Sequence, residues 1–177
     1  MTTNRLSILT LVVVLASATG LAAQANQMSA DVKDDYASVK GILLQAAASM
    51  PEENYRFRAM LGAPLDFGGM IAHVADTQTE ICATLKGELK KGNAAGKTSK
   101  DDLIAALKAS FAYCDPVYDA LTDANGAKLI DLYGHKRSRL GALYFNVEHD
   151  NAMYGQMVAY MRVKGIMPES GEGKWRR

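Results

Sequence analysis

Two histidines and two cysteines are the side chains here best suited to chemistry near neutral pH. His73 and His149 are two of only three histidines in 177 residues. The hydrophobic pattern puts each in mid-helix beside an apolar stripe. His149 is flanked by Glu148, Asp150 and Asn151 in the middle of a long, otherwise apolar helix. A buried polar group in the centre of a helix bundle needs partners, and facing helices often supply them as a metal or ligand site. The plainer alternative is a pair of hydrogen-bonded structural imidazoles. His135, beside Gly134, reads as a surface residue in the loop that starts the last helix.

Cys82 and Cys114 both lie on apolar stripes, so they are either bonded to each other or buried as two free thiols. The compartment bears on that choice. Residues 1–5 carry one positive charge, residues 6–18 are almost purely apolar, and Ala23-Gln24-Ala25 fits the small-x-small pattern that a signal peptidase accepts. Residues 1–25 are therefore read as a signal peptide cleaved after Ala25. The apolar run is shorter than the roughly 18 residues that a spanning helix needs, so no stable membrane association is expected after cleavage. The protein is expected to be exported, either periplasmic or secreted. In such an oxidising compartment a Cys82–Cys114 disulfide is expected, formed between antiparallel neighbouring helices joined by a loop and stabilising the fold by roughly 3–4 kcal/mol.

The elements that must position these residues follow from hydrophobic spacing of three and four residues. A first helix is predicted over 30–49, stopped by Met50-Pro51. A second starts at the N-cap Asp66 and runs to Gly87. The stretch 88–98 reads as an exposed loop. A third helix opens at Ser99-Lys100-Asp101-Asp102, a capping-box-like signal, and meets Pro116, which should kink or partly break it. A further turn or two of helix is predicted around 127–132, and the last long helix over 136–164. Gly155 inside that helix is read as a close-packing position. No alternating strand pattern appears. The expected architecture is an all-α, up-and-down four-helix bundle with one short extra helical segment, one domain over 26–177, with 169–177 a mobile tail.

Composition excludes several functions. Lys plus Arg total 20 and Asp plus Glu total 19, a net charge of +1. No broad basic face is available, so no nucleic-acid partner is expected. A mean hydropathy of −0.08 excludes a polytopic membrane bundle. Removing residues 1–25 takes away only Arg5 among the charges, and the mature chain is then formally neutral. The segment GNAAGKT at 92–98 superficially suggests a phosphate-binding loop. It has three residues between its glycines rather than four, and a polar helix end precedes it instead of a strand.

Two segments carry a resemblance. DFGGMIAHVAD at 66–76 resembles the second-helix motif of the DinB/YfiT-like superfamily, and HDNAMYGQMVAYMRVKGIMPES at 149–170 resembles its last-helix motif. FAYCDPVYDALTD between them is also similar, and the likeness covers roughly 30–170. It implies a four-helix bundle holding a divalent metal, commonly nickel or zinc, through three histidines. One comes from the second helix and two from the last, four residues apart. His73 matches the first position and His149 the second, while the third is Met153, on the same helical face as His149.

A thioether suits copper(I) better than zinc or nickel. Three arrangements follow: a metal on His73, His149 and a water or carboxylate; a copper site through Met153; or a metal-free pocket for an unknown small molecule. Asp76, three residues after His73, is the candidate to orient an imidazole or to stand in as a ligand. The resemblance implies a metal-dependent enzyme of thiol transferase or hydrolase type with a degenerate site. The alternative is a non-catalytic exported binding or interaction protein on the same scaffold. Whether the chain forms a homodimer is left open by the stripes, each of which can be satisfied internally.

Overall fold

The structure, a computed structural model, describes residues 26–59 and 62–168. The expected signal peptide at 1–25 and the tail at 169–177 lie outside the described residues. Helix α1 (Gln27–Ser49) buries Val32, Tyr36, Val39, Leu43 and Ala46, one stripe at the helical period. It stops at Met50, extended ahead of Pro51, because proline's ring disfavours the helical region for the residue before it.

Helix α2 (Phe67–Lys86) begins where Asp66 accepts a hydrogen bond from the Gly69 amide at 2.7 Å, and it ends at Gly87 with φ 73°. Only glycine takes that conformation cheaply. Helix α3 (Lys100–Asp119) is capped by Ser99, whose hydroxyl accepts from the Asp102 amide, and it continues through Pro116 to Asp119. The last helix, Arg139–Val163, starts at Ser138, which accepts from the Gly141 amide. It is α5, because a single turn, α4 (Asp123–Gly126), precedes it.

The four long helices close a ring in the order α1–α3–α2–α5. Their directions refine the up-and-down expectation. Gly68 faces Leu103, Gln78 bonds Ser110, and Cys82 joins Cys114. Both numbers rise together, so α2 and α3 run parallel, and the expectation that the cysteines meet across antiparallel helices is corrected: the long loop at 87–99 carries the chain back to the same end. Lys33 bonds the Asp119 carbonyl while Lys100 bonds the Ala48 carbonyl, so α1 is antiparallel to α3. Across the other seam, Arg139 reaches Leu85 and Tyr160 reaches Leu65, so α5 is antiparallel to α2. The order is up, down, down, up.

A parallel pair needs a connection that travels the length of a helix. The 20 residues of α2 span about 30 Å, and residues 87–99 can reach roughly 40 Å when extended. That loop folds back along α2 until Gly92 lies on Asp76. A Cβ on Gly92 would collide with both the carboxylate and the backbone of Asp76.

The predicted extra helix is corrected. The single turn α4 is held by the reciprocal capping box of Thr122 and Asn125. Residues 127–132 then enter a hairpin instead of a helix: β1 (Leu129–Leu132) pairs antiparallel with β2 (His135–Ser138), with Leu132 opposite His135. Tyr133 and Gly134 take φ 54° and 79°, the left-handed pair that a two-residue hairpin turn demands. The last helix therefore starts at Arg139 rather than near 136, and His135 sits exposed on β2. Gly155 does not pack closely, since nothing lies within 4 Å of a Cβ built there.

Candidate functional site

The site forms on the antiparallel seam of α2 and α5. His73 is exposed on α2, and His149 on α5 keeps 17% of its side chain accessible. Their Nε2 atoms lie 3.1 Å apart, with the rings edge to face at 66°. Burial pushes the His73 imidazole below its usual pKa, and the neighbouring His149 adds to the effect. A neutral ring keeps a lone pair for a proton or a cation.

Behind His149 sits Asp150, with no accessible surface. Its Oδ1 lies 3.3 Å from His149 Nδ1. Burial pushes its carboxyl up to about 6, against the opposing hydrogen bond and charge of His149. Gln78 of α2 steadies the other oxygen: with its NH2 turned to the carboxylate it donates to Asp150 Oδ2 at 3.0 Å, and its carbonyl accepts from the Ser110 hydroxyl at 3.0 Å. Asn146, fully buried one turn before Asp150, donates to the Tyr118 hydroxyl at 3.0 Å. A polar layer thus crosses the bundle centre from α3 to the histidines.

This layer determines which nitrogen faces out. With Asp150 ionised, His149 holds its proton on Nδ1 toward the carboxylate and presents the Nε2 lone pair to His73. His73 Nε2–H then donates to that lone pair at 3.1 Å, a ring-to-ring hydrogen bond whose proton a cation would displace. The two nitrogens are also close enough that both imidazoles would be within reach of one cation.

The remaining predicted residues fall as follows. Met153 is buried in the core, with the Gln156 amide nitrogen 3.9 Å from its Sδ. Asp76 is not placed as an imidazole partner: its two oxygens accept from the backbone amides of Ala94 at 2.7 Å and Ala95 at 3.0 Å. Asp150 takes the orienting position instead. Its buried placement was readable, because Asn146, Asp150, Met153 and Met157 form one stripe at helical spacing. Among the described residues no cluster of three His, Cys, Asp or Glu forms a metal cage. Cys82 and Cys114 are joined by a disulfide, both fully buried, with Cα atoms 5.5 Å apart.

These features define a four-helix bundle with a histidine pair backed by a buried carboxylate on one seam. The chain matches the DinB superfamily over residues 14–157, and it belongs to that superfamily. A crystal structure of a DinB-like protein from Bacillus cereus ATCC 10987 is similar, with a TM-score of 0.67 and 17% identity over 78% of this chain and 94% of that one. At that identity the likeness concerns the fold. No curated protein matches the chain in sequence. No helix of the described residues is long and apolar enough to cross a membrane.

Proposed function

We propose that this is an exported DinB-like protein that holds a divalent zinc or nickel ion on His73 and His149 and uses it in a thiol-transfer or hydrolytic reaction. The observation that carries the reading is the 3.1 Å convergence of the two Nε2 atoms, with Asp150 oriented behind one of them. When bound, such a metal lowers the pKa of a thiol or water so that a nucleophile forms near neutral pH. His73 and His149 supply the ligands. Asp150 accepts a hydrogen bond from His149 Nδ1–H and so leaves the Nε2 lone pair outward, and Gln78 holds Asp150 in that orientation. The exposed side of His73 leaves access for a substrate. Export is supported by the pattern of residues 1–25 and by the buried Cys82–Cys114 disulfide.

One observation favours a second reading. The third ligand position of the family is a core methionine here, and a site with two imidazoles holds its ion more weakly than one with three. On this reading the scaffold binds a small molecule without catalysis. Metal content and affinity of the mature chain from Asn26 separate the two, compared with Met153→His and with a His73→Ala, His149→Ala double variant. The metalloenzyme reading expects one zinc or nickel per wild-type chain, tighter binding in Met153→His and none in the double variant. A wild type without metal whose Met153→His variant binds it supports the non-catalytic reading. If neither binds, the histidine pair is not a metal site.

A further inference from the structure

Away from the histidines, the crossover loop at 87–98 roofs the groove between the parallel helices α2 and α3. Beneath it lies an open pocket of about 380 Å³. Ala75 and Thr79, which line it, sit about 200° and 240° around α2 from His73. This is a different face from the histidine seam.

The pocket is solvent-open, and its α3 wall is Ala105, Ala106 and Ala109, whose small side chains leave the space that larger ones would fill. The volume lies at the lower end of the range for small-molecule sites. Ser110 lies buried on the floor with its hydroxyl bonded to Gln78, and Tyr113, whose hydroxyl donates to Glu88, supplies aromatic surface at one side.

The rim supplies charge. Lys90, Lys91 and Lys97 all border the opening, and none forms an ion pair among the described residues. Lys90 rests over the Tyr113 ring at 3.7 Å. Two carboxylates also line the space, and both already have hydrogen-bond donors. Asp76 accepts from the amides of Ala94 and Ala95, and Asp102 accepts from the Ser99 hydroxyl at 2.8 Å. Three ammonium groups against two carboxylates leave one net positive charge. That surplus makes the rim complementary to a small anion, with the screening that exposed lysines have in water.

We propose that this cavity binds a small organic monocarboxylate, its apolar body against the alanine wall and its carboxylate among the three lysines. The loop that a glycine-rich, lysine-bearing sequence first suggested for phosphate would then serve a different anion, through lysine side chains.

The test is a titration of the mature protein with benzoate, followed by the backbone amide resonances. The expected result is saturable shifts at Thr79, Gly92, Ala106 and Ser110 at millimolar benzoate, with amides next to His73 and His149 unmoved. Lys91→Glu and Lys97→Glu each weaken binding about tenfold, as loss of one charged hydrogen bond does, and keep the wild-type melting temperature. Ala106→Leu fills the space and abolishes the shifts. Benzyl alcohol, which lacks the charge, and inorganic phosphate, which lacks the body, give no saturable shifts. The proposal is overturned if benzoate gives none, if Ala106→Leu binds as wild type does, or if phosphate binds as well as benzoate. Shifts confined to the histidine seam would overturn it too, and would leave the metal reading untouched.

Discussion

Replacing Asp150 with asparagine should make the protein more stable and its site worse. The carboxyl has no accessible surface and is pushed up by burial to about 6 from an ordinary 3.8. A carboxyl whose pKa rises on folding contributes stability that is fully present below about 3.8 and is lost as pH climbs through about 6. At about 1.4 kcal/mol per unit, the loss from acid to neutral pH is about 3 kcal/mol. The asparagine side chain cannot ionise and keeps the shape, so the difference between variant and wild type should change by about 2 kcal/mol between pH 4 and pH 8, the remainder of the loss falling below pH 4. Urea unfolding of both proteins across this range, with EDTA present, reads the difference directly.

The same change acts on His149. The asparagine oxygen can still accept from Gln78, which leaves its NH2 toward His149 Nδ1. That ring nitrogen must then accept, so the proton moves to Nε2 and donates to His73. The outward lone pair is lost, and metal affinity should fall about 10- to 100-fold, as for other partners behind metal-bound histidines. A stability difference that stays flat with pH would refute the reasoning, as would an Asp150→Asn protein less stable than wild type at pH 8. Either result would mean that the carboxylate is ionised and fully compensated by its neighbours.

Other substitutions probe the scaffold. Removing the disulfide with Cys82→Ser and Cys114→Ser frees a 32-residue separation and should cost roughly 3–4 kcal/mol, seen as a melting temperature lowered by about 10 °C. Gly155→Ala enters an exposed helical position with nothing within 4 Å and should stabilise by about 1 kcal/mol in urea unfolding. Gly92→Ala drives a methyl group into Asp76. It should lift the crossover loop at a cost of about 1–3 kcal/mol, and limited proteolysis should then cut within 87–98 faster than in wild type.

Much of this molecule was legible in one dimension, for reasons that particular residues show. Asp66, Ser99 and Gly87 mark helix ends because each satisfies, through its own side chain or its own φ, a backbone group that the helix leaves unpaired. The stripe from Val32 to Ala46 announces a buried face because burial follows the helical period. The hairpin was not legible. Its strands LIDL and HKRS do not alternate cleanly, and the Tyr133-Gly134 turn lacks the asparagine or aspartate that usually signals φ above zero at both positions.

His73, His149 and the two cysteines were identifiable by type and spacing, Met153 through the family resemblance, and the helical class of the fold by its periodicity. Their meeting was not, because spacing along a chain does not state which helices adjoin or in which direction they run. Loop length does not reveal it either, since the connections at 50–66, 87–99 and 120–138 all exceed the usual 2–8 residues of a bundle, yet only 87–99 joins a parallel pair. Only the packed structure shows that Cys82 meets Cys114 across parallel helices and that Asp76 turns to loop amides while Asp150 stands behind His149. Side-chain partners depend on which surfaces come together in three dimensions, and that is decided by the whole core at once.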